Sequence, residues 1–102
     1  MARVKWSSQA RSDLDSIVDH IAHDSPARAR MFHLNALNAT QLLESHPQMG
    51  HPVPEADDTD VREIQFGRYR IIYWVFKDDI VVLTIHHGRR RLPKRKLIKR
   101  TG

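Results

Sequence analysis

The chain of 102 residues contains no cysteine, which excludes disulfides and thiolate metal sites as staples and suits a reducing compartment. It also has no apolar run long enough to span a bilayer, and its opening, MARVKWSSQARSDL, lacks the apolar core of a signal peptide. These absences predict a soluble cytoplasmic protein with no membrane partner. Acidic residues are missing from Arg89–Arg100, which holds eight of the 17 Lys and Arg residues. The remainder carries nine bases against twelve acids, so the formal net charge of +5 divides into a body of −3 and a tail of +8. Such a tail suits contact with nucleic acid, capping of an acidic partner, or simple solvation. No repeat or low-complexity segment precedes it, and the length allows one core. The expected organisation is one domain over residues 1–93 and a basic tail over 94–102.

What is present is strongly periodic. Val4-Lys5-Trp6 reads as a short strand, followed by Ser7 or Ser8 as a helix cap. Ala10, Leu14, Ile17, Val18 and Ile21 then recur at helical spacing, with Arg11, Asp13, Asp15 and Asp19 on the opposite, polar side. Ser25-Pro26 caps and starts a second helix expected to reach about His46, with Ala29, Phe32, Ala36, Leu37, Thr40 and Leu43 inward and Pro47 as its stop. Two amphipathic helices with a short break make an antiparallel hairpin. An acidic loop, Gln48–Asp60, leads to a strand at Val61–Phe66 and then to two apolar strands within Tyr69–His87. The predicted fold class is therefore α+β, in the order β-α-α-β-β-β, a small antiparallel sheet with the helical hairpin packed on one face.

Alternation in the last two strands sets Tyr69, Ile71, Tyr73 and Val75 on one face, with Ile80, Val82 and Thr84. Ile72, Trp74, Phe76, Val81, Leu83 and Ile85 fall on the other. A turn at Asp78-Asp79 would place Arg70 opposite His87. Both faces are apolar, and two helices cover only one of them. The other face is expected to meet a protein partner, unless Leu97-Ile98 folds back over it.

Seven histidines raise a metal site, but His20 and His23 fall on the polar side of the first helix, and His86 and His87 point to opposite faces of a strand. No metal and no cofactor are expected. An RNA-cleaving site is the sharper reading. Attack by a 2′-hydroxyl needs a base, an acid and cations for the phosphate, and Arg70, His87 and one of Arg89, Arg90 and Arg91 are the residue types for it. The bland alternative is a rim pair at a sheet edge followed by the start of a basic tail, and residue types alone favour it. The chain shows no helix-turn-helix pattern or aromatic stacking platform for sequence-specific nucleic-acid binding.

Six motifs in order carry a family resemblance: AxxDLxxIxxxI from Ala10 to Ile21, SPxxA at Ser25, HPxxG at His46, VREI at Val61, YRIIYxV at Tyr69 and HGRRxLP at His87. Over residues 3–93 the chain resembles the ParE/RelE toxin superfamily. The resemblance implies a type II toxin–antitoxin toxin that arrests growth, is neutralised by a cognate antitoxin folding over its helices and sheet, and meets operator DNA only through that antitoxin. It also implies that Ile71, Tyr73 and Val75 face the helices. Ile72, Trp74, Phe76, Val81 and Leu83 are then the antitoxin-binding candidates, with Trp74 as anchor.

The superfamily divides by target. In RelE-like members, which cut mRNA in the ribosome, the pattern implies phosphate-binding roles for Arg70 and Arg90, with His87 as an acid or base. The same pattern places two lysines and a C-terminal tyrosine where this sequence has Val61, Glu63 and Lys96. ParE-like members inhibit DNA gyrase, and the HGRRxLP ending is closer to these and to plasmid-stabilisation members. The leading expectation is a gyrase inhibitor whose target-contacting candidates are Arg70, His87, Arg89, Arg90 and Arg91. The alternatives are a ribosome-dependent mRNA endonuclease using Arg70, His87 and Arg90, or an inactive relative that only binds antitoxin.

Overall fold

The computed structural model describes residues 2–99; residues 100–102, the end of the expected basic tail, lie outside them, as does Met1. Strand β1 (Arg3–Trp6) hands over to helix α1 (Ser8–Asp24) at Ser7, whose hydroxyl accepts from the Ala10 N–H at 3.1 Å. Ser25 repeats the device for α2 (Pro26–Gln41), accepting from the Arg28 N–H, with Pro26 where a missing N–H costs nothing. The second helix tightens into a 3-10 turn at Leu42–Glu44, before the expected stop at Pro47. Four strands follow: β2 (His51–Pro52), β3 (Val61–Phe66), β4 (Tyr69–Phe76) and β5 (Asp79–His87).

The α+β class and the β3–β4–β5 meander are as the sequence predicts. The sheet order is β1-β5-β4-β3-β2, and β1 runs parallel to β5, from Arg3 opposite Asp79 to Trp6 opposite Val82. The sheet is therefore mixed, with the very short β2 as an added edge. Ser7 closes β1 onto β5: its N–H donates to the Val82 carbonyl and its hydroxyl to that of Leu83.

The register of the last hairpin differs from expectation. Its two-residue loop is Lys77-Asp78, with Lys77 at φ 56, so Phe76 faces Asp79. Pairing slips between Ile72 and Tyr73, where Ile72 faces Thr84 but Tyr73 faces Val82. This bulge leaves Leu83 and Thr84 on the same face and returns Ile85 to the helix side. Ile85 joins Ala10, Leu14, Ala36, Ile71 and Val82 in the core beneath the helices, and Tyr73 packs with Leu43 and Ile80 beside it. Thr84 instead meets the Asp13 carboxylate. At the far end Arg70 faces His86, and His87 faces Tyr69.

The outer sheet face is covered from within the chain. Val53 and Ala56 from the acidic loop, with Leu92 and Leu97 from the C-terminal segment, pack on Val61, Ile72, Val81 and Leu83. The fold-back is carried by Leu97, at the end of a 3-10 turn (Lys94–Leu97); Ile98 stays exposed. Lys96 on that turn reaches Asp13 at 3.4 Å. Asp13 is thus a half-buried tie between α1, β5 and the C-terminal turn rather than a residue of the polar helix side. Leu37 is 40% exposed and joins Met31 and Leu34 in an uncovered apolar stripe on α2. The described residues contain no helix long and apolar enough to cross a membrane.

Candidate functional site

The cationic end of the sheet is built by two adjoining turns. Gly67-Arg68 links β3 to β4, with Gly67 at φ +58, a conformation costly for a side-chain-bearing residue. Beyond β5, the Gly88 N–H donates to the Arg68 carbonyl at 2.8 Å, stitching the two turns together. Between them lies a groove of about 690 Å³ lined by Glu63, Gln65, Arg68, Arg70, His87 and Arg89, with Gly67 and Gly88 at its turns.

Arg70 is the centre of that groove, and it is not free. Its Nε–H donates to Glu63 at 2.7 Å, and its two terminal nitrogens donate to the two carboxylate oxygens of Glu55 at 2.8 and 2.9 Å. Glu63 is held in place by strand alternation: it lies on β3, on the same outer face as Arg70, one diagonal away. Glu55 arrives from the loop between β2 and β3. The forked bond to Glu55 raises the Arg70 pKa further above its ordinary value, with Glu63 adding to the effect against some desolvation. The same bond holds the Glu55 carboxyl below the ordinary glutamate range.

His87 and Arg70 share the groove but belong to opposite sheet faces. The His87 ring packs edge-on against Tyr69 on the helix side, centroids 5.5 Å apart, and its Nδ1 accepts from the Arg89 N–H at 3.3 Å. The expected Arg70–His87 pairing is corrected by the hairpin register, since the bulge and the shifted turn bring His86 opposite Arg70. His86 is buried, and its Nε2 lies 3.1 and 3.0 Å from the Arg90 and Arg91 carbonyls. These contacts hold the chain as it leaves the sheet. The Arg90 and Arg91 side chains are exposed and do not line the groove, so of the three arginines after β5 only Arg89 does.

The apolar candidates separate in the same way. Ile72, Val81 and Leu83, expected on an open face, are fully buried under the loop and the C-terminal segment. Trp74 and Phe76 remain half-buried, stacked with centroids 4.3 Å apart and planes 28° from parallel. Lys77 sits over the Phe76 ring at 5.2 Å and Lys99 over the Trp74 ring at 5.7 Å. Lys99 also pairs with Asp58, which fastens the C-terminal segment to the acidic loop. Among the described residues no three His, Asp or Glu side chains converge as a metal site.

Sequence reasoning missed Glu55, Arg68 and Gln65. The acidity of the loop was visible, but nothing local indicates that one of its carboxylates returns to a strand residue fifteen positions later. Arg68 and Gln65 are unremarkable until the two turns bring them to one rim.

Comparison with known proteins places these features in a family. The family described as ParE toxin of type II toxin-antitoxin system, parDE, matches residues 4–92. Among solved structures, the chain resembles one from the chromosomal ParDE toxin–antitoxin system of P. aeruginosa (23% identity, TM-score 0.71, covering 85% of this chain and 96% of that one). It also resembles a chain of the RelBE2 toxin–antitoxin complex of Mycobacterium tuberculosis (21% identity, TM-score 0.60, covering 84% and 96%). At these identities the structural likeness concerns the fold. No curated protein sequence matches significantly.

Proposed function

Because the chain belongs to the family of ParE toxins of type II toxin–antitoxin systems, we propose that it arrests growth by binding DNA gyrase rather than by cutting RNA. The observation that carries this reading is the state of Arg70. A nuclease of the RelE pattern needs that guanidinium open toward a phosphate, and here Glu63 and Glu55 occupy its Nε and both of its terminal nitrogens. A phosphodiester reaching the Arg70 guanidinium would have to displace two carboxylates to bind it. His87, on the other sheet face and packed on Tyr69, adds to the difficulty of assembling an acid–base pair with Arg70. What remains suits contact with a protein: Arg68 and Arg89 on the groove rim, which form no ion pair among the described residues, and the half-buried Trp74–Phe76 stack.

Neutralisation by a cognate antitoxin follows from the family. Its surface on this chain comprises the Met31, Leu34 and Leu37 stripe of α2 and the Trp74–Phe76 stack, since Ile72, Val81 and Leu83 lie beneath other parts of the chain. The test is a supercoiling assay with purified toxin and gyrase, alongside induction in cells. Inhibited supercoiling, filamentation and DNA-damage signalling are expected. Loss of translation with mRNA cleaved at codons in primer extension, and gyrase unaffected, would sink the proposal.

A further inference from the structure

Glu55 occupies the edge of Arg70 that an oxyanion would use. A guanidinium presents its two terminal nitrogens as a fork that accepts two oxygens of a carboxylate or a phosphate with the same geometry. In this chain the fork is filled from within, at 2.8 and 2.9 Å. The loop that brings Glu55 there is fixed on either side of it: Val53 is buried, Ala56 packs on the same outer cluster, and the Ala56 N–H donates to the Val53 carbonyl. Glu55 itself is 38% exposed at its side chain, so packing on either side places its backbone while the arginine fixes its carboxylate. Its position is set by the arginine and by two short anchors.

We propose that Glu55 determines the ligand specificity of the groove: it is an internal oxyanion that closes the Arg70 fork to phosphate groups, and without it the groove is a phosphate-binding site. Two observations support this beyond the bond itself. Arg68 and Arg89 line the same groove and form no ion pair among the described residues. Counting Glu55, Glu63, Arg68, Arg70 and Arg89, the formal charge is +1, and it becomes +2 when Glu55 is neutralised, with histidine taken as uncharged. A tethered carboxylate also competes at an effective concentration on the order of millimolar or higher, which a free anion must exceed before it gains the fork. Removing the tether therefore removes both a competitor and a repulsive charge. The inference rests on the proposed function only in taking this groove as a contact surface, and it explains how a chain with RelE-type arginines is kept from a nucleic-acid backbone.

The experiment titrates inorganic phosphate into the full chain and follows the Arg70 Nε–H resonance by nitrogen-edited NMR, with calorimetry in parallel. The wild-type resonance is expected to stay in place at millimolar phosphate. In Glu55→Ala and Glu55→Gln it should shift saturably, with affinity higher by about tenfold or more, and the gain, read by calorimetry, should vanish in the Glu55→Ala, Arg70→Gln double variant. A saturable Arg70 shift in the wild type would overturn the proposal without any variant. So would folded Glu55 variants that bind phosphate no better than wild type, or a gain that survives loss of Arg70. Gyrase takes no part in this titration, so a toxin that fails the supercoiling assay can still pass it, and the reverse.

Discussion

Glu55 and Arg70, fifteen residues apart in the chain, meet in a two-pronged ion pair with N–O distances of 2.8 and 2.9 Å. Arg70 lines the groove, and Glu63 binds its Nε from the neighbouring strand at 2.7 Å. The pair neutralises one of the groove's arginines and ties the loop between β2 and β3 to β4.

The first prediction concerns pH. The Glu55 carboxyl titrates below its ordinary value because Arg70 binds its charged form. A carboxylate whose pKa is depressed by folding contributes stability above its unfolded pKa and loses it as pH falls through the folded value. Because the pair is partly exposed and screened, its contribution is about 0.5 kcal/mol or less. Urea unfolding of wild type and Glu55→Gln should therefore differ slightly at pH 7 and converge toward pH 3. A difference that grows on acidification would contradict the assignment.

A second prediction follows from Gly50. A Cβ placed there would lie 2.3 Å from the Glu63 carbonyl oxygen and 2.8 Å from the Tyr73 hydroxyl. That hydroxyl accepts from the Gly50 N–H at 2.9 Å and donates to the Pro47 carbonyl at 2.8 Å. Gly50→Ala should destabilise the fold by roughly 2 kcal/mol or more through overpacking against backbone. Tyr73→Phe should cost about 1–3 kcal/mol by stranding a buried N–H and loosening the loop entry. Thermal and denaturant melts measure both.

The outer sheet face yields a third. Ile72 and Leu83 are buried by the chain itself, so Ile72→Ala and Leu83→Ala should each cost about 2–5 kcal/mol. If that face were instead open for a partner, both changes would leave unfolding almost unaltered. Trp74→Ala should weaken antitoxin binding by about tenfold or more, as expected of an aromatic anchor. Calorimetric titration reads that loss directly.

Asp13 supports a fourth. Its carboxylate receives the Thr84 hydroxyl and the Gln9 amide and pairs with Lys96 at 3.4 Å, largely out of solvent. Asp13→Ala should cost about 1–3 kcal/mol, because Thr84 loses its partner and Lys96 is left half-buried without one. The C-terminal turn should open at the same time, with faster amide exchange at Lys96, whose N–H donates to the Pro93 carbonyl.

How much was legible beforehand depends on the range of the interaction. The two helices, their serine caps and the strand meander follow from spacing and caps, which are local, and the structure reproduces them. The alternation of β4 was readable too, because it needs only neighbours, while the choice of Ile71, Tyr73 and Val75 as the set facing the helices came from the family resemblance. In β5 the expected faces of Ile80, Val81, Val82 and Leu83 hold, but those of Thr84 and Ile85 are reversed, because one bulged residue flips every later side chain and leaves no trace in a run of apolar and β-branched residues. Likewise Leu37 fits the helical period of the buried set, yet it is 40% exposed.

The sequence by itself determined the α+β class, the helical hairpin, the cationic end of the meander and the family to which these belong. Tertiary structure alone decided what that cationic end can touch. A guanidinium binds whichever oxygens are brought to it, and the choice between a phosphate and an internal carboxylate depends on where a loop closes. Here Val53 and Ala56 pack on the sheet's outer face and set Glu55 in the fork of Arg70. Charge at one position is written in the sequence; its partner, fifteen residues earlier, is chosen by packing.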